Sequence, residues 1–156
     1  MTKPKRANEE KEPWEEDDAQ DFGGHPNCFE LQEGNDGRLQ RPFDLEERTA
    51  RFGEAVIKFS KKIPRGPVNN RIIDQLVGSG TSVGANYCEA DEAVSKKEFI
   101  NKIGTCKKEA KESKHFIRMA AVAEPCLKDE ARVLWREAKE LHLIFSRIFR
   151  SGRGKE

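Results

Sequence analysis

From Phe43 onward, apolar side chains return every three or four positions, the period of a helix with one face turned inward. Leu45, Phe52, Val56, Phe59 and Ile63 share a first stripe. Asp44 is placed to cap it, with Glu46 and Glu47 beside the positive helix start. Pro64-Arg65-Gly66-Pro67 ends this helix. The second is expected over residues 67–94, on the stripe Ile73, Leu76, Gly80, Val83, Tyr87, Ala90 and Val94. The third opens on a capping box, Ser95-Lys96-Lys97-Glu98, followed by Phe99, Ile103, Cys106, Ala110, Ser113, Ile117 and Ala120. Pro125 closes it, and a fourth starts near Leu127 or Lys128. Leu127, Ala131, Leu134, Ala138, Leu141, Phe145 and Ile148 then mark a heptad-like seam. Ser151-Gly152-Arg153-Gly154 reads as a frayed end. With no strand candidate and short breaks, the pattern predicts an all-α protein. Its fold is an antiparallel up-and-down four-helix bundle over residues 43–150, with a loose tail at 151–156.

Residues 1–42 break that pattern. Glu9-Glu10-Lys11-Glu12-Pro13-Trp14-Glu15-Glu16-Asp17-Asp18 has no apolar period, and Gly23-Gly24 and Gly34-Asn35-Asp36-Gly37 follow. Such a segment buries too little apolar surface to offset its ordering entropy, so a disordered acidic extension is expected. It reads as a solubilising tail; the alternative gives Trp14, Phe22 and Phe29 a role as short docking anchors.

Composition changes the picture mainly through charge. The chain is 35% hydrophobic and 37% charged, lean for a globular protein unless part of it stays out of the core or the helices have long solvated faces. Residues 1–42 carry 6 Lys/Arg against 11 Asp/Glu, a net of −5, and the remaining residues 23 against 17, a net of +6. The overall +1 thus conceals a moderately basic domain, which favours a polyanionic partner. One expectation from this asymmetry is that the acidic segment shields the basic domain.

The four cysteines, Cys28, Cys88, Cys106 and Cys126, form no C-x-x-C pair or metal-finger spacing. The chain opens on Met1-Thr2-Lys3-Pro4-Lys5-Arg6 and runs into acid, and no apolar run nears the roughly 20 residues of a membrane span. A cytoplasmic protein with reduced thiols and no membrane contact is expected.

Candidate chemistry is sparse. Gly78-Ser79-Gly80-Thr81-Ser82-Val83-Gly84-Ala85 lacks the order of a phosphate-cradling loop and follows no strand, so it reads as close helix–helix contact. Glu112-x-x-His115 resembles half of a di-iron motif, but the other histidines, His25 and His142, follow Phe22 and Lys139 at the position where a second Glu would stand. A chance surface pair is expected, with no metal and no cofactor. Cys88, Cys106 and Cys126 fall on or near apolar faces and read as small buried hydrophobes. Nothing marks an activated nucleophile, and no enzyme is predicted.

Two polar features remain. Between Lys96 and Arg118 stand eight Lys/Arg and three Glu. Lys107, Lys111, Lys114 and Arg118, at i, i+4, i+7 and i+11, share one face, with Lys108 beside it. These five residues are the candidate nucleic-acid-binding set; the equal alternative is a solvated face balanced by neighbouring acids. Asn86, Glu89 and Glu109 border the stripes. They either face water or join a polar network in the bundle or at a subunit boundary, with Arg71 or Lys102 as partner.

A particular series also runs through the domain: Phe43-Asp44-Leu45-Glu46-Glu47-Arg48-Thr49, then Gln75-Leu76-Val77-Gly78-Ser79-Gly80-Thr81-Ser82-Val83-Gly84-Ala85-Asn86-Tyr87-Cys88-Glu89-Ala90. Ser95, Glu98-Phe99, Lys102-Ile103 and Lys108-Glu109-Ala110-Lys111-Glu112-Ser113 complete it. It resembles the four-helix-bundle family of 23S ribosomal RNA intervening-sequence proteins, which also includes the accessory variability determinant of diversity-generating retroelements. The resemblance spans about residues 43–150. It implies a bacterial antiparallel bundle, a ring-shaped homopentamer and no established enzymatic activity. In the retroelement members it further implies binding of nucleic acid and of a reverse transcriptase through basic surfaces. Gly78 stands where the family usually has Arg, and His115-Phe116-Ile117 where it often has an aromatic-Trp-Leu. The resulting expectation is a nucleic-acid-binding or ribonucleoprotein accessory subunit, with a protein-interaction scaffold as the alternative.

Overall fold

The structure, a computed structural model, describes residues 44–154. The acidic segment 1–42, and the roles considered for Trp14, Phe22 and Phe29, lie outside the described residues. Four helices follow one another: α1 (Leu45–Ser60), α2 (Pro67–Asp91), α3 (Lys96–Ala123) and α4 (Lys128–Arg153). A single 3-10 turn, Pro125–Leu127, leads into α4.

Local chemistry accounts for the boundaries. The Asp44 carboxylate accepts from the Glu47 amide at 3.2 Å, and Pro67 occupies the first turn of α2, where its missing N–H is harmless. The Ser95 hydroxyl accepts from the Glu98 amide at 3.1 Å. The Glu98 carboxylate reaches back to the amide of Val94 rather than of Ser95, a variant of the expected capping box.

Specific contacts fix the topology. Between α1 and α2, Thr49 lies against Gly84 and Val56 against Gly80. Between α2 and α3, Ser79 meets Ser113, Val83 meets Cys106 and Glu89 meets Lys102. Between α3 and α4, Ile100 lies against Gly152, Gly104 against Phe149 and Lys114 against Trp135. In each pair one number falls as the other rises, so every neighbouring pair is antiparallel. Arg48 to Glu137 and Lys62 to Glu130 close the ring between α1 and α4. The fold is the expected all-α, four-helix, up-and-down bundle.

The core is built from the predicted stripes. Phe52, Val56, Leu76, Val83, Ile103, Ile117, Leu141 and Phe145 are fully buried, each contributing about 1.5–3 kcal/mol of transfer free energy. The small-residue run on α2 serves helix contact: a Cβ on Gly80 would stand 2.7 and 2.8 Å from the Val56 methyls.

Three expectations need correction. α2 stops at Asp91, and Val94 is 94% exposed rather than part of the stripe. The chain must reverse before Ser95 takes the extended conformation of an N-cap, which pulls Val94 out of the helix. α4 continues through Ser151, Gly152 and Arg153, because Gly152 allows the helix to lie directly on Ile100. It ends at Gly154, whose φ of +77° suits glycine. Cys88 and Cys126 are exposed, and of the three described cysteines only Cys106 is buried. Its thiol donates to the Val83 carbonyl at 3.6 Å, and burial pushes its pKa up to about 12, so it stays protonated.

Candidate nucleic-acid interface

α3 carries a basic ridge on the side away from its buried stripe. Lys108, Lys111 and Arg118 are exposed, whereas Lys107 and Lys114 are half-buried. The half-burial has a cause: both stems lie across aromatic rings of α4. The Lys107 ammonium stands 5.1 Å from the centre of the Phe149 ring, and that of Lys114 stands 5.1 Å from the Trp135 ring. Each ring has a second cation from α4 itself, Arg153 at 5.6 Å from Phe149 and Lys139 at 6.0 Å from Trp135.

His142 sits between the two helices. Its Nδ1 lies 3.0 Å from the Lys107 carbonyl oxygen, which can only accept, so Nδ1 carries the proton and donates. Burial holds the imidazole pKa below its ordinary value against the raising effect of that bond, and Lys114, Lys107 and Lys111 lower it further. All three lysines therefore converge on one stretch of α4. The sequence singled out the ridge on α3 but not its α4 partners, Trp135, Lys139, His142, Phe149 and Arg153. Their signal was a second stripe at 135, 139, 142, 146, 149 and 153, one position beyond the core seam.

Three acids of α4, Glu130, Glu137 and Glu140, are directed to α1 rather than to this ridge. On α4, Glu137 turns to α1 and clamps Arg48 with bonds of 2.7 and 3.0 Å. Glu140 adds to the field that raises the Arg48 pKa, behind the Glu137 hydrogen bond. Glu130, Glu137 and Glu140 of α4 thus act on α1, whereas Lys139 and Arg153 of the same helix stand over the rings beside the α3 lysines. Among the described residues, Lys107, Lys108 and Lys111 have no ion-pair partner.

The expected polar network is only partly assembled. Lys102 pairs with Glu89 across α2 and α3, and the Glu89 carboxylate is the main cause of its raised pKa. Asn86 instead donates to the Ser82 carbonyl in its own helix, at 2.9 Å. Glu109 is half-buried without joining the pair; desolvation, followed by Glu112, raises its pKa. Arg71 is exposed, near the opposite end of α2 from Glu89, too far to serve as partner. The buried polar contact is elsewhere: the Ser79 and Ser113 hydroxyls bond each other at 3.1 Å, and Ser113 also donates to the Glu109 carbonyl at 2.8 Å. His115 is exposed, with its ring edge-on to Phe116 at 5.1 Å. Among the described residues no group of three His, Cys, Asp or Glu could hold a metal ion.

The fold and face define a small antiparallel four-helix protein with a basic, aromatic-backed α3–α4 surface. Residues 43–147 match the 23S rRNA-intervening sequence protein family, and the chain belongs to that family. Among solved structures it is similar to a protein of unknown function of the S23 ribosomal protein family from Bacteroides thetaiotaomicron. The two are 24% identical with a TM-score of 0.60, the match covering 68% of this chain and 98% of the other, which supports the shared fold. No curated protein matches the chain.

Proposed function

We propose that the protein is a non-enzymatic nucleic-acid-binding subunit that engages phosphates through the α3–α4 face. The observation that carries this reading is the charge sorting on α4. Lys139 and Arg153 extend the ridge of Lys107, Lys108, Lys111, Lys114 and Arg118, while Glu137 is committed to Arg48 on the far side. A face balanced from α4 would turn such acids toward α3 instead. Lysine stems held over rings also have less conformational freedom to lose on binding.

In this reading the protein works in the cytoplasm as a homopentameric ribonucleoprotein accessory subunit, and a reverse transcriptase is the protein partner that the retroelement resemblance suggests. The rival, a protein-interaction scaffold, draws on the exposed Val68, Val122 and Val133.

The test is binding of the full chain to duplex DNA and structured RNA across a salt series, with the assembly mass measured in the same sample. The expected result is binding that weakens steeply with salt and is lost when Lys107, Lys111 and Lys114 are changed to Glu. An assembled protein that binds neither at low salt would leave the scaffold as the better account.

A further inference from the structure

We infer that the α3–α4 face recognises the sugar–phosphate backbone of duplex nucleic acid, without reading bases and without stacking on single strands. This rests on the polyanion-binding reading above and narrows it to one class of ligand.

Surfaces that hold single strands combine cations with aromatic faces open to the bases. Here the aromatic rings are present but occupied. Trp135 is only 3% exposed, with Lys114 and Lys139 over its ring. Phe149 is packed against Gly104, where an added Cβ would come within 2.9 Å of the ring, and carries Lys107 and Arg153 over it. A base could stack on either ring only by displacing two cations, the groups that attract the strand in the first place. His115 is the one exposed ring beside Lys111 and Arg118, and a single imidazole makes no platform for successive bases.

Base-edge readout lacks its usual tools as well. Four of the five ridge cations are lysines, mobile point charges rather than planar forks matched to a base edge, and the Arg153 guanidinium is held over the Phe149 ring. What remains is charge at helical spacing. From Lys107 to Arg118 the ridge rises about 16 Å, roughly the axial length of five base pairs. A surface dominated by lysine point charges favours the ligand of higher linear charge density, and a duplex has about one phosphate per 1.7 Å of axis.

The experiment compares the full chain on a labelled duplex of about 20 base pairs, on a scrambled duplex and on each component strand, over a salt series. The duplex is expected to bind at least ~tenfold tighter than either strand, and the two duplexes within about twofold of each other. Affinity should fall with salt at a log–log slope near −4, about 0.9 for each contacted phosphate. His115→Ala, which removes the exposed ring beside the ridge, should leave duplex affinity unchanged.

Equal or tighter binding of single strands would overturn the inference. So would a ~tenfold loss on His115→Ala in a variant that still melts like the parent, or a tenfold preference between the two duplexes. Failure to bind any of these nucleic acids would instead remove the polyanion-binding reading, and this inference with it.

Discussion

The α1–α2 and α3–α4 contacts solve the same problem in opposite ways. Between α1 and α2 the backbones come close: Gly53 lies against Gly80 and Thr81, Gly84 against Thr49, and Gly80 beneath Val56. Nothing long fits there, and these contacts are made by glycine, threonine and valine. Between α3 and α4 the space is filled by Trp135 and Phe149, and lysine stems cross the rings to reach solvent. Close packing gives rigidity without a chemical surface. A ring-filled contact gives a platform on which charge can be displayed at fixed positions.

The largest expected effect breaks the second region. Changing Lys107, Lys111 and Lys114 together to Glu should lower polyanion affinity at least ~hundredfold at low salt, since it replaces attraction with repulsion at each position. The α1–α2 contact lies on another face, and reversing Arg51, which is exposed and pairs only with Glu47 of its own helix, should change affinity less than about twofold.

Gly80→Val breaks the first region. The new side chain would meet the Val56 methyls at 2.7 and 2.8 Å, and overpacking of this kind costs about 1–3 kcal/mol. Denaturant unfolding should show that loss. Gly78→Ala, two residues away with nothing within 4 Å of the new methyl, should instead stabilise by about 0.5–1 kcal/mol through helix propensity. Removal of the part-buried Arg48–Glu137 clamp by Glu137→Gln should cost about 1 kcal/mol or less after solvent screening.

The smallest effect is the most diagnostic. The folded pKa of His142 lies below its unfolded value, so the native state binds fewer protons than the unfolded chain in the window between the two. Stability contributed by neutral His142 is therefore present above the ordinary imidazole pKa of about 6.5 and is lost as pH falls through that value toward the folded one. His142→Asn should flatten this part of the stability–pH curve. A polyanion that neutralises Lys107, Lys111 and Lys114 should raise the His142 pKa, visible in its imidazole proton resonances. An unchanged pKa on binding would place the ligand elsewhere.

Much of the bundle was legible because single helices carry their own signals. Asp44, Ser95 and Pro125 mark ends locally, and the three-four stripes select the core. The end of α2 was not legible: Val94 continues the period, and only the reversal before Ser95 removes it from the helix. Gly152 suggested fraying because its use, clearance for Ile100, depends on a residue of another helix. The basic ridge of α3 was visible from spacing alone. Its α4 half was not, because the stripe through Trp135, Lys139, His142, Phe149 and Arg153 gains meaning only once α4 is known to lie beside that ridge. Arg71 was offered as a partner on charge grounds, and helix length separates it from Glu89.

The most direct measurement is amide chemical-shift mapping of the full chain on addition of a short duplex at low salt. The account predicts changes confined to Lys107–Arg118 on α3 and Trp135–Arg153 on α4, reversed by added salt. Changes centred on α1 and α2, or none at saturating duplex, would contradict it.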